Sequence, residues 1–267
     1  MNNKLYVNKM IEDKKKFTLQ VLNLLTLIIT VIINYVAASV PLGIGNTGEI
    51  SDLYPNLFVP AGITFSIWAV IYTFLGIFLV YQFRDFFKDQ KVEMPFLEKI
   101  SYLFILSNIA NSFWIFFWHY GLIYLSIIAM IVIVLSLIWI YLRLDFGKSQ
   151  VTKKEKWYVY TPFSIYLGWI TVATIANVTA VLVSAGVGSF GLLAEILTVL
   201  VISVAVIITF AMLFLRKDYA YSIVVLWAVL GIFLKQLGFN LTITITAIIA
   251  LILIAAGIVF TVYRTKK

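Results

Sequence analysis

Apolar runs long enough to cross a bilayer alternate with short polar or basic segments along the whole chain. They cover about 19–40, 59–82, 100–118, 122–144, 157–184, 192–215, 219–237 and 240–263. Each approaches or exceeds the roughly 20 residues that an α-helix needs to cross the hydrocarbon core. The pattern predicts an all-α integral membrane protein with eight transmembrane helices. The turns at His119-Tyr120-Gly121 and Arg216-Lys217-Asp218 are so short that the helices flanking them must be antiparallel neighbours. The first run exceeds the about 7–15 residues of a secretory h-region, so it is expected to be retained as a helix. Pro162 falls within the fifth run and is expected to kink or tilt it.

Composition supports this class. Of 267 residues, 63% are hydrophobic and 12% charged, against roughly 45–50% and about 25% in ordinary globular chains. The net charge of +8 would suggest nucleic acid in a soluble protein, but the cations here are distributed by topology. The polar tail at 1–18, the loops after the second, fourth and sixth spans, the inner end of the fourth span with Arg143, and the C-terminal end hold every Lys and Arg except Lys235. Retention of basic residues on the inner side places both termini in the cytoplasm and the protein in a plasma or inner membrane. Attraction to anionic lipids then accounts for the charge, and no nucleic-acid partner is expected. Cysteine is absent and His119 is the sole histidine, so a thiolate or multi-histidine metal centre within one chain is excluded. The sequence GVGSFG from Gly186 to Gly191 has the spacing of a dinucleotide fingerprint but lies between two spans with no strand before it, and reads as a turn.

Chemistry concentrates in three stripes. A Pro-Ala-Gly turn opens the second span, after which Thr64, Trp68, Tyr72 and Gly76 recur at four-residue spacing. The third span carries Asn108, Asn111, Trp114 and Trp118, and the fifth carries Trp169, Ala173 and Asn177. Indole N–H groups, phenols and amides at membrane depth need partners, so these faces should point at other helices or at a ligand. At about 1.5 Å of rise per residue, Trp68, Asn111 and Asn177 all fall roughly 10–12 Å below the outer surface. A pocket between the second, third and fifth spans follows, with the 41–58 loop able to cover it. Any one of these residues alone would read as helix glue. As a set, aromatic walls with a few convergent polar groups suit an apolar aromatic ligand.

These residues also carry a family resemblance. Pro60, Trp68, Tyr72, Gly76 and Tyr81, then Asn111-x-x-Trp114, then Trp169-x3-Ala173-x3-Asn177, resemble the tryptophan-rich sensory protein family, also called the translocator or peripheral benzodiazepine receptor family. The resemblance spans about 19–184. It implies a five-helix bundle there, with 185–267 as a three-helix extension. It also implies a site for a tetrapyrrole such as protoporphyrin IX or haem, held beneath the loop between the first two helices, with roles in transport, sensing or porphyrin breakdown. On this basis the ligand-binding residues are Pro60, Thr64, Trp68, Tyr72, Asn111, Trp114, Trp118, Trp169, Ala173 and Asn177. Two departures stand out. Gly62 occupies the place of a family tryptophan at the start of the second helix, so a porphyrin-degrading enzyme relying on that indole is not expected. The Pro-Tyr pair before the fifth-helix tryptophan is absent at its usual spacing, with Pro162 a turn earlier.

The protein is thus expected to be a binding protein, a sensor or transporter, needing no cofactor beyond its ligand. Homodimers are common among such bundles, but nothing fixes a face for one. Its rival is an ion-coupled secondary transporter using Glu195, an ionisable group about one turn inside the sixth helix. Lys235 is the one base on the outer side; it either pairs with Glu195, or both snorkel to the interface. His119 reads as an interfacial turn residue rather than an axial haem ligand. Trp157, Tyr158 and Tyr160 read as interface anchors.

Overall fold

The computed structural model describes residues 2–40, 42–86 and 92–266, with side chains described from residue 12 to residue 264 outside the two gaps. Pro41 of the expected covering loop and residues 87–91 of the basic loop after the second span lie outside the described residues. All regular structure among the described residues is helical. In order, the helices are α1 (Asn2–Ser39), α2 (Thr47–Asp52), a 3-10 turn (Gly62–Ser66), α3 (Ile67–Gln82), α4 (Pro95–Ile100), α5 (Leu103–His119) and α6 (Ile123–Leu144). Then come the single turn α7 (Lys153–Glu155), a π-helical stretch (Lys156–Tyr160), α8 (Thr161–Ser184), α9 (Leu192–Arg216), α10 (Tyr219–Gln236) and α11 (Leu241–Lys266). Among the described residues seven helices are long and apolar enough to cross a membrane, and α5 is a shorter apolar helix that passes through the same bundle. The protein is a multi-pass membrane protein.

Three local features go beyond the sequence expectation. The polar tail does not stand apart from the first span, because α1 is continuous from Asn2. Its Lys16 ammonium forms an ion pair with Asp85 and donates to Val92 O at 2.8 Å, fastening the tail across the loop after α3. The loop expected before the third span contains the short helix α4, which ends at Ser101, φ +49°, before α5 begins. Pro162 lies in the first third of a helical run continuous from Lys153 to Ser184. It occupies the first turn of α8, and the π-helical stretch just before it absorbs the missing N–H.

The first five spans form a ring in which α1 contacts α3 and α5, α5 pairs with α6, α6 with α8, and α8 with α3. Lipid tails are as apolar as leucine, so close packing and interhelical hydrogen bonds must hold such a ring together. α1 supplies both through a polar stripe. Asn23 Nδ2 donates to Gln82 Oε1 at 3.1 Å, Thr30 Oγ1 to Asn108 O at 3.0 Å, and Asn34 Nδ2 to Asn111 Oδ1 at 2.9 Å. The opposite faces are lipid-facing: Ile32 of α1, Phe113 of α5, Ile128 of α6 and Ile207 of α9 are all more than half exposed.

The C-terminal helices join the ring through α10, which lies along α8. The crossing is close because residue 168 is glycine: a Cβ there would sit 3.1 Å from Tyr221 O and 3.2 Å from Val224 Cβ. α9 and α11 pack behind α10.

Candidate functional site

Residues 42–66 form a roof over one end of the ring, opposite the lysine-rich end. Its local structure follows from short-range chemistry. Asn46 Oδ1 accepts from Gly48 N and Glu49 N, both at 3.0 Å, while Glu49 Oε2 accepts from Asn46 N at 2.9 Å. This reciprocal capping box starts α2. Asn56 Oδ1 accepts from Phe58 N and Val59 N at 3.0 Å, turning the chain toward Pro60 and the 3-10 turn.

The roof is fixed to the end of α5 by the one histidine. His119, at the turn that ends α5, is completely buried under the roof. Its Nδ1 lies 3.3 Å from Leu42 O and its Nε2 3.2 Å from Thr47 Oγ1, so both ring nitrogens are engaged. Trp118 Nε1 donates to Thr47 O at 3.2 Å, and Ile44 N to His119 O at 3.0 Å. Gly43, at φ +63°, packs so tightly on this helix end that a Cβ would fall 2.0 Å from His119 O.

Beneath the roof the three sequence stripes converge. Trp68 is the hub: its ring stacks on Tyr72 at 5.5 Å and lies 6.0 Å from Trp114 and 6.3 Å from Trp169. Trp114 stacks on Trp118 at 5.7 Å and donates from Nε1 to Asn177 Oδ1 at 2.9 Å. Asn177 in turn donates to Ser126 Oγ at 2.9 Å, tying α6 to the same cluster.

Between roof and floor lies a cavity of about 30 Å³, room for little more than a water molecule or two. Thr47, Ser51, Pro60 and Phe65 line it from the roof, Trp68, Trp114 and Trp118 from α3 and α5, and Trp169, Ala173 and Asn177 from α8 together with Val172 and Ala176. Two buried polar atoms lack a hydrogen-bond partner, Trp169 Nε1 on a lining residue and Thr64 Oγ1 outside the lining. Trp169 lines the cavity and is 2% exposed, and its indole N–H is a buried donor without a hydrogen-bond partner.

Of the residues singled out from the sequence, Pro60, Trp68, Trp114, Trp118, Trp169, Ala173 and Asn177 meet at this cavity. Thr64, Tyr72 and Asn111 stand outside its lining. Thr64 turns toward α10, and Tyr72 and Asn111 belong to a network just below. Asn111 Oδ1 accepts from Asn34 at 2.9 Å and from Tyr72 OH at 3.4 Å, while its Nδ2 donates to Tyr166 OH at 3.2 Å. Asn111 and Asn177 therefore serve separate hydrogen-bond sets, Asn111 bonding side chains of α1, α3 and α8 and Asn177 those of α5 and α6.

The structure also corrects the Glu195–Lys235 pair. Lys235 Nζ lies 2.8 Å from Asp52 Oδ1 at the end of α2, and Glu195 Oε1 accepts from Asn240 Nδ2 at 2.9 Å. The two residues take different partners because α10 faces the roof while the first turn of α9 faces the turn before α11.

Phe65 and Tyr166 were not singled out, yet Phe65 meets Trp169 edge-on at 5.9 Å and Tyr166 meets Trp68 at 6.2 Å. Both lie three residues before a tryptophan already on the stripe, a spacing that could have found them. Gly62, at the position of the family tryptophan, has nothing within 4 Å of a Cβ built on it; it lies on the exposed side of the roof. A larger open groove of about 390 Å³ at the lysine-rich end is lined by Phe74, Ile77, Lys153, Lys154, Trp157 and Tyr158, the composition of an interface anchor.

No curated protein and no solved structure matches the chain. A family model does, and its match runs over residues 20–260, through the three C-terminal helices as well as the ring that bears the stripes. The roofed tryptophan cluster thus sits in a chain that belongs, over nearly its whole length, to the family described as TSPO-like protein.

Proposed function

We propose that the protein is a membrane-embedded binding protein, a sensor or transporter, for an apolar aromatic ligand of the tetrapyrrole class, held beneath the 42–66 roof. The observation that carries this reading is the unpaired Trp169 indole N–H in a wall of four tryptophans. A flat aromatic ligand would stack on Trp68, Trp114 or Trp118. An acceptor on that ligand would satisfy the N–H, whose burial without a partner costs about 1–3 kcal/mol.

The cavity of about 30 Å³ is far below the roughly 300–1,000 Å³ of pockets for drug-sized ligands, so binding requires the roof to lift. With Gly62 exposed and no indole at that position, the reading is of binding without turnover of the porphyrin. The distribution of basic residues supports a cytoplasmic position for the lysine-rich end and entry from the opposite side.

Tryptophan fluorescence during titration with protoporphyrin IX tests this. Saturable quenching is expected, weakened in Trp68→Phe and Trp169→Phe and unchanged in Trp157→Phe, whose ring lies in the surface groove. Non-saturating quenching of equal slope in all four proteins would mean simple partitioning into detergent and would remove the tetrapyrrole reading.

A further inference from the structure

One face of α10 is devoted to the roof. Trp227, Gly231 and Lys235 follow one another at four-residue spacing and so stand in a row along the helix. Trp227 Nε1 donates to Thr64 O at 3.0 Å, Gly231 O accepts from Ala61 N at 2.9 Å, and Lys235 Nζ pairs with Asp52 Oδ1 at 2.8 Å. The neighbouring Gln236 Nε2 donates to Leu57 O at 3.0 Å. The four contacts run from the 3-10 turn to the end of α2, along the edge of the roof away from His119.

Residue 231 fixes how close the two can come. A Cβ there would lie 2.0 Å from Thr64 Oγ1 and 2.9 Å from Pro60 Cβ. Only glycine lets the roof settle this far onto α10. Pro60 and Phe65, beside the contact points, line the cavity, so the height at which α10 holds this edge sets the depth of the space below.

The cavity as it stands is too small for the ligand proposed above. The floor consists of side chains on α3, α5 and α8, locked by the tryptophan cluster, whereas the roof is an irregular segment with two short helices. Enlarging the space means raising the roof, and raising its Pro60 edge means breaking these bonds.

We propose that α10 is a built-in latch on the roof, and that release of the Trp227–Gly231–Lys235 face is the step that opens the site. The C-terminal helices then regulate access to a pocket they do not line. This rests on the ligand reading of the cavity, but the latch has a ligand-independent test.

The chain has no cysteine, so Val172→Cys places a single thiol on the cavity wall at a position 2% exposed. The rate of its reaction with a water-soluble maleimide reports how often the roof opens. In Val172→Cys alone the reaction should be slow. Adding Trp227→Phe, which keeps the ring and deletes one bond, should accelerate it roughly two- to tenfold, the factor expected for one lost hydrogen bond. Adding Gly231→Ala, which wedges the roof from α10, should accelerate it further; size-exclusion elution at the parent position establishes that this variant is folded. Equal labelling rates in the parent and in Trp227→Phe would overturn the latch, even if protoporphyrin IX quenches as expected. Accelerated labelling with no saturable quenching in any variant would uphold the latch and sink the ligand reading instead.

Discussion

The interface of α3, α5 and α8 is built in two ways at its two ends. Toward the lysine-rich end, Phe78 meets Phe96, Phe104 and Phe163 edge-on, with centroids at 6.2, 5.6 and 5.1 Å. All four are at most 1% exposed. Toward the roof, the same helices meet through Trp68, Trp114 and Trp169, with amides and hydroxyls threaded between them. Phenylalanine carries no polar atom, so four rings can close into a seal with nothing left to satisfy. Each tryptophan adds a donor that needs an acceptor in a fixed place. Trp114 finds Asn177, Trp118 finds Thr47, and Trp169 finds none. The seal specifies a fixed contact, whereas the roof half leaves one donor unmatched beside a small void. Under the ligand reading proposed above, the roof end is the half that opens to a ligand and the phenylalanine seal the half that bars it.

The largest effect should come from breaking the seal. Phe78→Ala removes the ring on which three others converge and should cost about 3–5 kcal/mol, read as a fall in the unfolding midpoint of the detergent-solubilised protein. If the loss were no greater than that of Phe65→Ala beside the cavity, the two halves would not differ as described. Next comes Asn177→Ala, which strips the acceptor from Trp114 and a partner from Ser126. Leaving a buried indole N–H unpaired should cost about 1–3 kcal/mol, with a red shift in tryptophan emission as water takes the amide's place.

A smaller effect concerns Asp218, the buried carboxylate among the described residues. Asp218 caps α10, accepting from Tyr221 N at 3.1 Å and from the Ser164 hydroxyl, with Tyr141 nearby. Burial raises its pKa above the ordinary 3.8, and the hydrogen bonds it accepts offset this only in part. The folded protein therefore holds this proton more tightly than the unfolded chain. Its contribution to stability is greatest below the ordinary carboxylate value, falls as pH rises through the window up to the raised folded value, and is level above it. Asp218→Asn, which keeps an acceptor for Tyr221, should flatten that slope in unfolding midpoints measured across acid pH. An unchanged slope would assign it to other carboxylates. The smallest effect should be that of Lys235→Gln on stability. Its ion pair with Asp52 is 40% and 57% exposed, so less than about 1 kcal/mol is at stake.

Much of this architecture is legible in the sequence because the bilayer makes apolar runs unambiguous, and the predicted ends of α6, α9 and α10 fall within a residue or two of the observed ones. The tryptophan and asparagine stripes were equally visible, since polar groups at membrane depth stand out against Leu, Ile and Val. Other features were hidden for physical reasons. The α1 stripe of Asn23, Thr30 and Asn34 is masked by the hydrophobicity of its span, although its seven- and four-residue spacing puts it on one helix face. Ser101 adopts positive φ without being glycine, so no residue type marks the end of α4. The roof contacts of α10 join residues 163 to 183 positions apart, and an outer lysine could as well have met Glu49 or Glu195 as Asp52. Gly231 looked like any small residue in an apolar helix until Thr64 was found against it.

The most direct test is a structure of the protein with protoporphyrin IX bound. The macrocycle should lie beneath residues 42–66 against Trp68 and Trp169, with the roof raised from α10 and the Phe78, Phe104 and Phe163 rings unmoved. A macrocycle bound on the lipid-facing surface, or one reached by parting the phenylalanine seal, would contradict the division of the molecule into a ligand-accepting half and a closed one.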